Sequence, residues 1–123
     1  MNGNSLLLDT NVILYFLSGD RTLIPLLNEK DLFVSFITQL ELLSYKEITE
    51  TDIKNINEFL AECTIIDINA KIKEIAINLK RKYSLKLPDS IIIATGLFLK
   101  IPVISADAQF KLVEESDLIF YQK

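Results

Sequence analysis

The sequence has no histidine and one cysteine, Cys63, among its 123 residues. The first absence excludes Ser-His-Asp and Cys-His catalysis, and with them histidine-based general acid–base chemistry. It also removes the commonest zinc ligand. A single cysteine can form neither an internal disulfide nor a thiolate zinc cluster. Any chemistry must come from carboxylates, hydroxyls, amides and lysines, and carboxylates are the natural ligands of hard cations. Glycine and proline are scarce, at 3 each, which points to regular elements joined by short connections. An excess of basic residues is also missing. The net charge is −4, so there is no strongly basic footprint for nucleic acid. That leaves room for a site where bound cations supply the positive charge locally.

Long apolar runs are lacking too. The stretch from Ile91 to Ser105 is broken by Lys100 and Pro102, short of the ~18 apolar residues a membrane span needs. The first twenty residues carry no Lys or Arg, and Asp9 interrupts their apolar run. No secretory signal is expected, and a cytoplasmic location follows, in keeping with a lone free thiol.

What is present is a well-mixed apolar and charged chain, 50% apolar, of a length that suits one folded domain over residues 1–123. Strand and helix signals alternate along it. Strands are expected at Ser5–Leu8, Leu32–Ser35, Thr64–Ile68, Pro102–Ser105 and Leu118–Tyr121. Helices are expected at Asn11–Leu17, Thr22–Asn28, Thr38–Tyr45, Thr51–Cys63, Ala70–Tyr83, Asp89–Leu99 and Ala108–Glu114. Such alternation implies an α/β fold with a parallel sheet covered on both faces. Ligands of such sheets bind beyond the carboxyl ends of the strands, where strand order reverses.

Four acids fall near those ends. Asp9 follows the first strand, Glu41 lies in the helix after the second, Asp89 opens a long helix, and Asp107 follows a later strand. Each has a plain structural explanation. Thr38 with Glu41 fits a Ser/Thr-x-x-Glu capping box. Asp89 sits after Pro88, where an acid favours the helix dipole. Asp107 and Asp9 could each cap a helix. Gathered on one rim, however, like charges repel and raise each other's pKa values. Caps alone give no reason for that gathering, whereas a divalent cation resolves it. Two such cations can activate a water and stabilise the leaving oxygen of a phosphodiester.

The pattern resembles the PIN-domain family, and within it the VapC-like toxin ribonucleases of bacterial toxin–antitoxin pairs. The residues that carry the resemblance run from Leu7 to Leu14, Ser35 to Leu42, Pro88 to Thr95 and Val103 to Phe110. All four segments occur in order, over nearly the whole chain. The resemblance implies a three-layer α/β/α sandwich around a five-stranded parallel sheet of order 3-2-1-4-5. It implies Mg²⁺- or Mn²⁺-dependent cleavage of single-stranded RNA, leaving a 5′-phosphate and a 3′-hydroxyl. Asp9, Glu41, Asp89 and Asp107 would hold the metal, directly or through water. Asn11 and Ser105 match family positions that hydrogen-bond and orient those carboxylates. A cognate antitoxin protein would be the partner. Ser105 stands where threonine is commoner, Ala106 and Gln109 replace residues often polar or basic, and Lys100 occupies a place where a helix-ending glycine is common.

Other residues read as structural. Asp67 is expected at an edge strand as a surface or capping acid, and Cys63 in the core. The run Lys80-Arg81-Lys82, with Lys86, could track RNA phosphates or simply complement a helix end. Tyr15 and Phe16 could stack on a base or pack in the core. Leu14, Phe16, Leu17, Leu23 and Leu26, in a chain of mildly positive mean hydropathy, suggest an apolar surface and a homodimer.

Three rivals differ in class. A phospho-acceptor receiver domain wants paired acids after the first strand and a lysine beyond the fifth, and neither is found. A haloacid-dehalogenase phosphatase wants an Asp two residues after Asp9, where Asn11 stands. A non-catalytic PIN-fold binding module would be marked by a lost acid, and none is lost.

Overall fold

The computed structural model describes residues 3–123. Five strands form one sheet: β1 (Ser5–Leu8), β2 (Asp31–Ser35), β3 (Thr64–Ile66), β4 (Val103–Ser105) and β5 (Leu118–Phe120). Their order is β3-β2-β1-β4-β5, as expected. Every pairing is parallel. The helices are α1 (Thr10–Leu17), α2 (Ile24–Leu27), α3 (Phe36–Leu43), α4 (Glu50–Ala61), α5 (Ala70–Lys82) and α6 (Leu87–Leu99). Short 3₁₀ turns occupy Arg21–Leu23 and Ala108–Leu112.

Side chains alternate across a strand, and β1 shows it. Leu6 and Leu8 join one apolar cluster, with Val12 and Ile13 of α1, Leu27 of α2, Leu42 of α3, and Ile56 and Leu60 of α4. Leu7 joins the other, with Ile72, Ala76 and Leu79 of α5, and Ile92, Ile93 and Ala94 of α6. These two clusters are the two faces of the sheet, and they make the three-layer sandwich. Since β1 is buried on both faces, it reads as a continuous apolar run.

Element ends moved where side-chain caps decide them. The helix expected from Thr38 starts at Phe36, because Ser35 caps it, accepting from Ile37 N at 3.3 Å. The helix expected from Asp89 starts at Leu87, with Pro88 in its first turn. The region expected as a helix over Thr22–Asn28 is a 3₁₀ turn capped by Asp20, then the four residues of α2. The strand expected over Thr64–Ile68 stops at Ile66. Asp67 lies just beyond it at the sheet edge and accepts from Ile68 N at 2.8 Å. Lys100 ends α6 in the left-handed conformation, φ 58°. That is the backbone for which glycine is favoured after a helix. No helix among the described residues is long and apolar enough to cross a membrane.

Candidate acidic site

The switch point of the sheet lies between β1 and β4, and β1 delivers Asp9 to it. The register pairs Leu7 with Val103 and Leu8 with Ile104, and Asp9 N donates to Ile104 O at 2.9 Å. Asp9 is only 4% exposed. Its Oδ1 accepts from Thr10 N at 2.7 Å and its Oδ2 from the Ser105 hydroxyl at 2.6 Å. Burial pushes its pKa up, from an ordinary 3.8 to about 6. The two hydrogen bonds oppose that rise, while the charges of Asp89 and Asp107 add to it.

Ser105 joins two of the acids. Its hydroxyl donates to Asp9 and accepts from Asp107 N at 2.9 Å. Asp107 in turn caps the 3₁₀ turn, accepting from Gln109 N at 2.9 Å. Asp89 stands half-buried in the first turn of α6. Its pKa is raised by burial first, then by the charges of Asp107 and Glu41, with Lys86 opposing. Glu41 projects from the middle of α3, exposed, and its Oε1 accepts from the Thr10 hydroxyl at 2.7 Å.

The fold thus links all four predicted acids electrostatically at one rim. Capping accounts for part of Asp9 and for Asp107. It does not account for Glu41, because α3 begins five residues earlier and Ser35, not Thr38, is its cap. Asn11 engages the backbone after β4 through its amide oxygen. Its Oδ1 accepts from Ala106 N at 3.2 Å, so it holds the backbone between Ser105 and Asp107. Thr10 and Thr38 are the site-bordering residues that sequence reasoning missed. Their hydroxyls lie 3.0 Å apart. Thr38 gives one signal in sequence, Thr-x-x-Glu with Glu41, which imitates a capping box, and Thr10 gives none.

The donor set is oxygen-only and anionic. That fits a hard divalent cation better than a soft one, and the raised pKa values of Asp9 and Asp89 are the strain such a cation would relieve. Among the described residues no three acids already converge closely enough to hold an ion.

The remaining candidates settle into structural places. Lys82 pairs with Glu115 at 3.2 Å, and Lys80 Nζ donates to Leu85 O at 2.8 Å. Phe16 packs on Phe59, ring centroids 5.5 Å apart, and Lys123 lies over the Tyr15 ring. Cys63 is half-buried, packs against the core and donates to Phe59 O at 3.5 Å. Burial, with help from the Glu62 charge, pushes its thiol up to about 11, which makes it inert.

Fold and site together define a class: a small three-layer α/β domain with acids along one rim at the switch point of a parallel sheet. The chain belongs to the PIN domain family, whose model matches residues 6–116. Among solved structures it is similar to a toxin–antitoxin complex from Klebsiella pneumoniae. The identity there is 27%, over 93% of this chain and 95% of that one, with a TM-score of 0.80. It shares its fold with the VapBC complex of Rickettsia felis, solved with a promoter DNA fragment, at 20% identity, 96% and 99% coverage and TM-score 0.81. The same holds for a VapBC complex of nontypeable Haemophilus influenzae, at 22% identity, 97% and 99% coverage and TM-score 0.77. No curated protein gives a significant match to the sequence.

Proposed function

We propose that this chain is a metal-dependent endoribonuclease, the toxin of a toxin–antitoxin pair, working in the cytoplasm as a single domain. The observation that carries the reading is the charge coupling of Asp9, Asp89, Asp107 and Glu41 across elements far apart in sequence. Burial raises the pKa of Asp9 and of Asp89 most, and the neighbouring acid charges add to it, a standing cost that capping alone does not explain.

In this reading the four carboxylates hold Mg²⁺ or Mn²⁺. When bound, the cation supplies Lewis-acid stabilisation of the phosphodiester and an activated water. The protein's own part is positional. Asp9 is locked by Thr10 N and Ser105 with both oxygens engaged. Ser105 fixes the spacing between Asp9 and Asp107, and Asn11 fixes the backbone between them. Hydrolysis with such a water would place its oxygen on phosphorus and release the 3′ oxygen. That oxygen takes up a proton, which leaves a 5′-phosphate and a 3′-hydroxyl. Purified protein incubated with a mixed single-stranded RNA ladder should cut it with Mg²⁺ or Mn²⁺ and stop with EDTA. Cutting that persists in EDTA, or an intact ladder under both cations, would overturn the reading.

An antitoxin protein is the proposed partner, supported by the toxin–antitoxin complex of Klebsiella pneumoniae that the chain resembles. A homodimer is proposed as well. Of the apolar residues that suggested it, Leu14 and Leu26 are exposed, while Leu23 is buried in the core. Another apolar surface lies in a groove of about 370 Å³ between α5 and α6, where Ile77 and Leu87 are 52% and 57% exposed. A second copy laid over this groove would remove both from water. Light scattering at micromolar concentration should report a dimer, and Leu87→Glu a monomer. A monomeric wild type would count against it.

A further inference from the structure

We infer that Thr38 and Thr10 form a hydroxyl relay that positions Glu41, which makes Thr10 a positioning residue of the site; the inference rests on the nuclease reading above. Thr10 Oγ1 lies 2.7 Å from Glu41 Oε1 and 3.0 Å from Thr38 Oγ1. A hydroxyl has one proton to give. The carboxylate is the nearer acceptor and carries charge, so it takes the Thr10 proton. The contact with Thr38, for which Thr10 also has the donor geometry, is then the weaker of the two. Thr38 is fully buried, so an unmet hydroxyl there would be costly. The three side chains form one chain, Thr38, Thr10 and Glu41, with Thr10 at its centre.

Thr38 behaves unlike the other buried hydroxyls within helices. In α6, Ser90 donates to Leu87 O at 2.7 Å and Thr95 to Ile91 O at 2.8 Å. Turning back onto the preceding turn is the usual course for a hydroxyl inside a helix. Thr38 instead meets α1, at the residue next to Asp9. The relay thereby spans the two elements that carry Asp9 and Glu41.

The consequence falls on Glu41. An exposed glutamate samples many rotamers, and ordering it on a ligand costs entropy. The Thr10 bond fixes one of its oxygens beforehand and leaves Oε2 for the crevice, where the Glu41 charge already acts on Asp89. Thr10 keeps Glu41 near the rim without being a ligand itself.

The test is Mn²⁺ titration calorimetry, with thermal melts of the metal-free proteins alongside. Thr10→Val keeps the branched shape and loses the hydroxyl. It should weaken Mn²⁺ binding roughly tenfold, the scale of one hydrogen bond to a charged group. Thr10→Ser should restore the wild-type affinity. Thr38→Val should weaken binding in the same direction by less, and it carries the same comparison if Thr10→Val folds poorly. In a Glu41→Gln background, Thr10→Val should cost nothing further, because the bond it removes has lost its charged acceptor. A wild type that takes up no Mn²⁺ overturns the nuclease reading and the relay with it. A wild type that binds, with Thr10→Val binding equally well, overturns the relay alone. So does a Thr10→Val effect of undiminished size in the Glu41→Gln background, and so does a lowered melting temperature with unchanged Mn²⁺ affinity.

Discussion

Asp9→Asn should lose cation-dependent RNA cleavage by roughly a hundredfold or more, with the fold intact. The size follows from position: loss of a residue that only supports a metal ligand typically costs about 10- to 100-fold. Asp9 is the most enclosed of the four acids, with both oxygens engaged. Asparagine has the same shape and caps about as well, so Thr10 N keeps an acceptor. What disappears is one negative charge at the point where Asp89 and Asp107 also act. Asp89→Asn should lose activity in the same direction. Asp67→Asn serves as the contrast, since that acid lies past the edge strand β3 and accepts from its neighbour Ile68 N. Cleavage rates on one RNA, at fixed Mn²⁺, decide the matter. Equal rates for wild type and Asp9→Asn would sink the proposed site, whatever the fold.

The sheet was legible because its strands are buried on both faces. Ser5–Leu8 and Val103–Ser105 are unbroken apolar or small runs, and only a covered parallel strand tolerates that pattern. Strand order came with the family resemblance rather than from periodicity, and the pairings bear it out. Helix starts were less legible, for a specific reason. Ser35 ends β2 and also caps α3, so the boundary depends on one side-chain bond to Ile37 N. Propensity cannot distinguish that from a cap at Thr38, where the local spacing to Glu41 looks better. Asp9, Asp89 and Asp107 could be picked out because they sit next to strand ends or helix starts, whereas Glu41 was assigned to a helix start that lies five residues earlier. The roles of Thr10 and Thr38 could not, because a contact across 28 residues leaves no local trace. Asn11 shows the same limit. The family resemblance implied a role in orienting the carboxylates, and the backbone bond its amide oxygen takes from Ala106 N, across 95 residues, has no local trace.

The stability of the metal-free protein should fall as pH rises from about 4 to about 6, then level off. Asp9 sets this window. Its folded pKa is about 6 against an ordinary 3.8, so between those values the folded state holds the proton that the unfolded chain has released. Stability falls wherever the folded state binds more protons. The contribution is therefore fully present below the unfolded value and lost as pH passes through the folded one. Two pKa units correspond to roughly 3 kcal/mol, an upper figure that the relaxation of a partly hydrated rim would reduce. Asp89 is raised as well, by burial and by Asp107 and Glu41, and adds in the same direction. Asp9→Asn should flatten the curve. Its net effect at pH 7 is a contest between two changes. Removing the buried charge relieves most of the penalty at Asp9. Against that, the Ser105 proton loses a carboxylate acceptor, and a buried unmet hydroxyl costs about 1–3 kcal/mol. The two are similar in size, so the variant should be as stable as wild type or modestly more so. Millimolar Mg²⁺ should raise the melting temperature of the wild type by mass action and do so much less for Asp9→Asn and Glu41→Gln. If the acids served only as caps, both substitutions would be nearly neutral and Mg²⁺ would leave all three proteins unchanged. Thermal melts from pH 4 to 8, with and without Mg²⁺, separate the outcomes. Identical Mg²⁺ responses in all three proteins would show that these carboxylates share no cation.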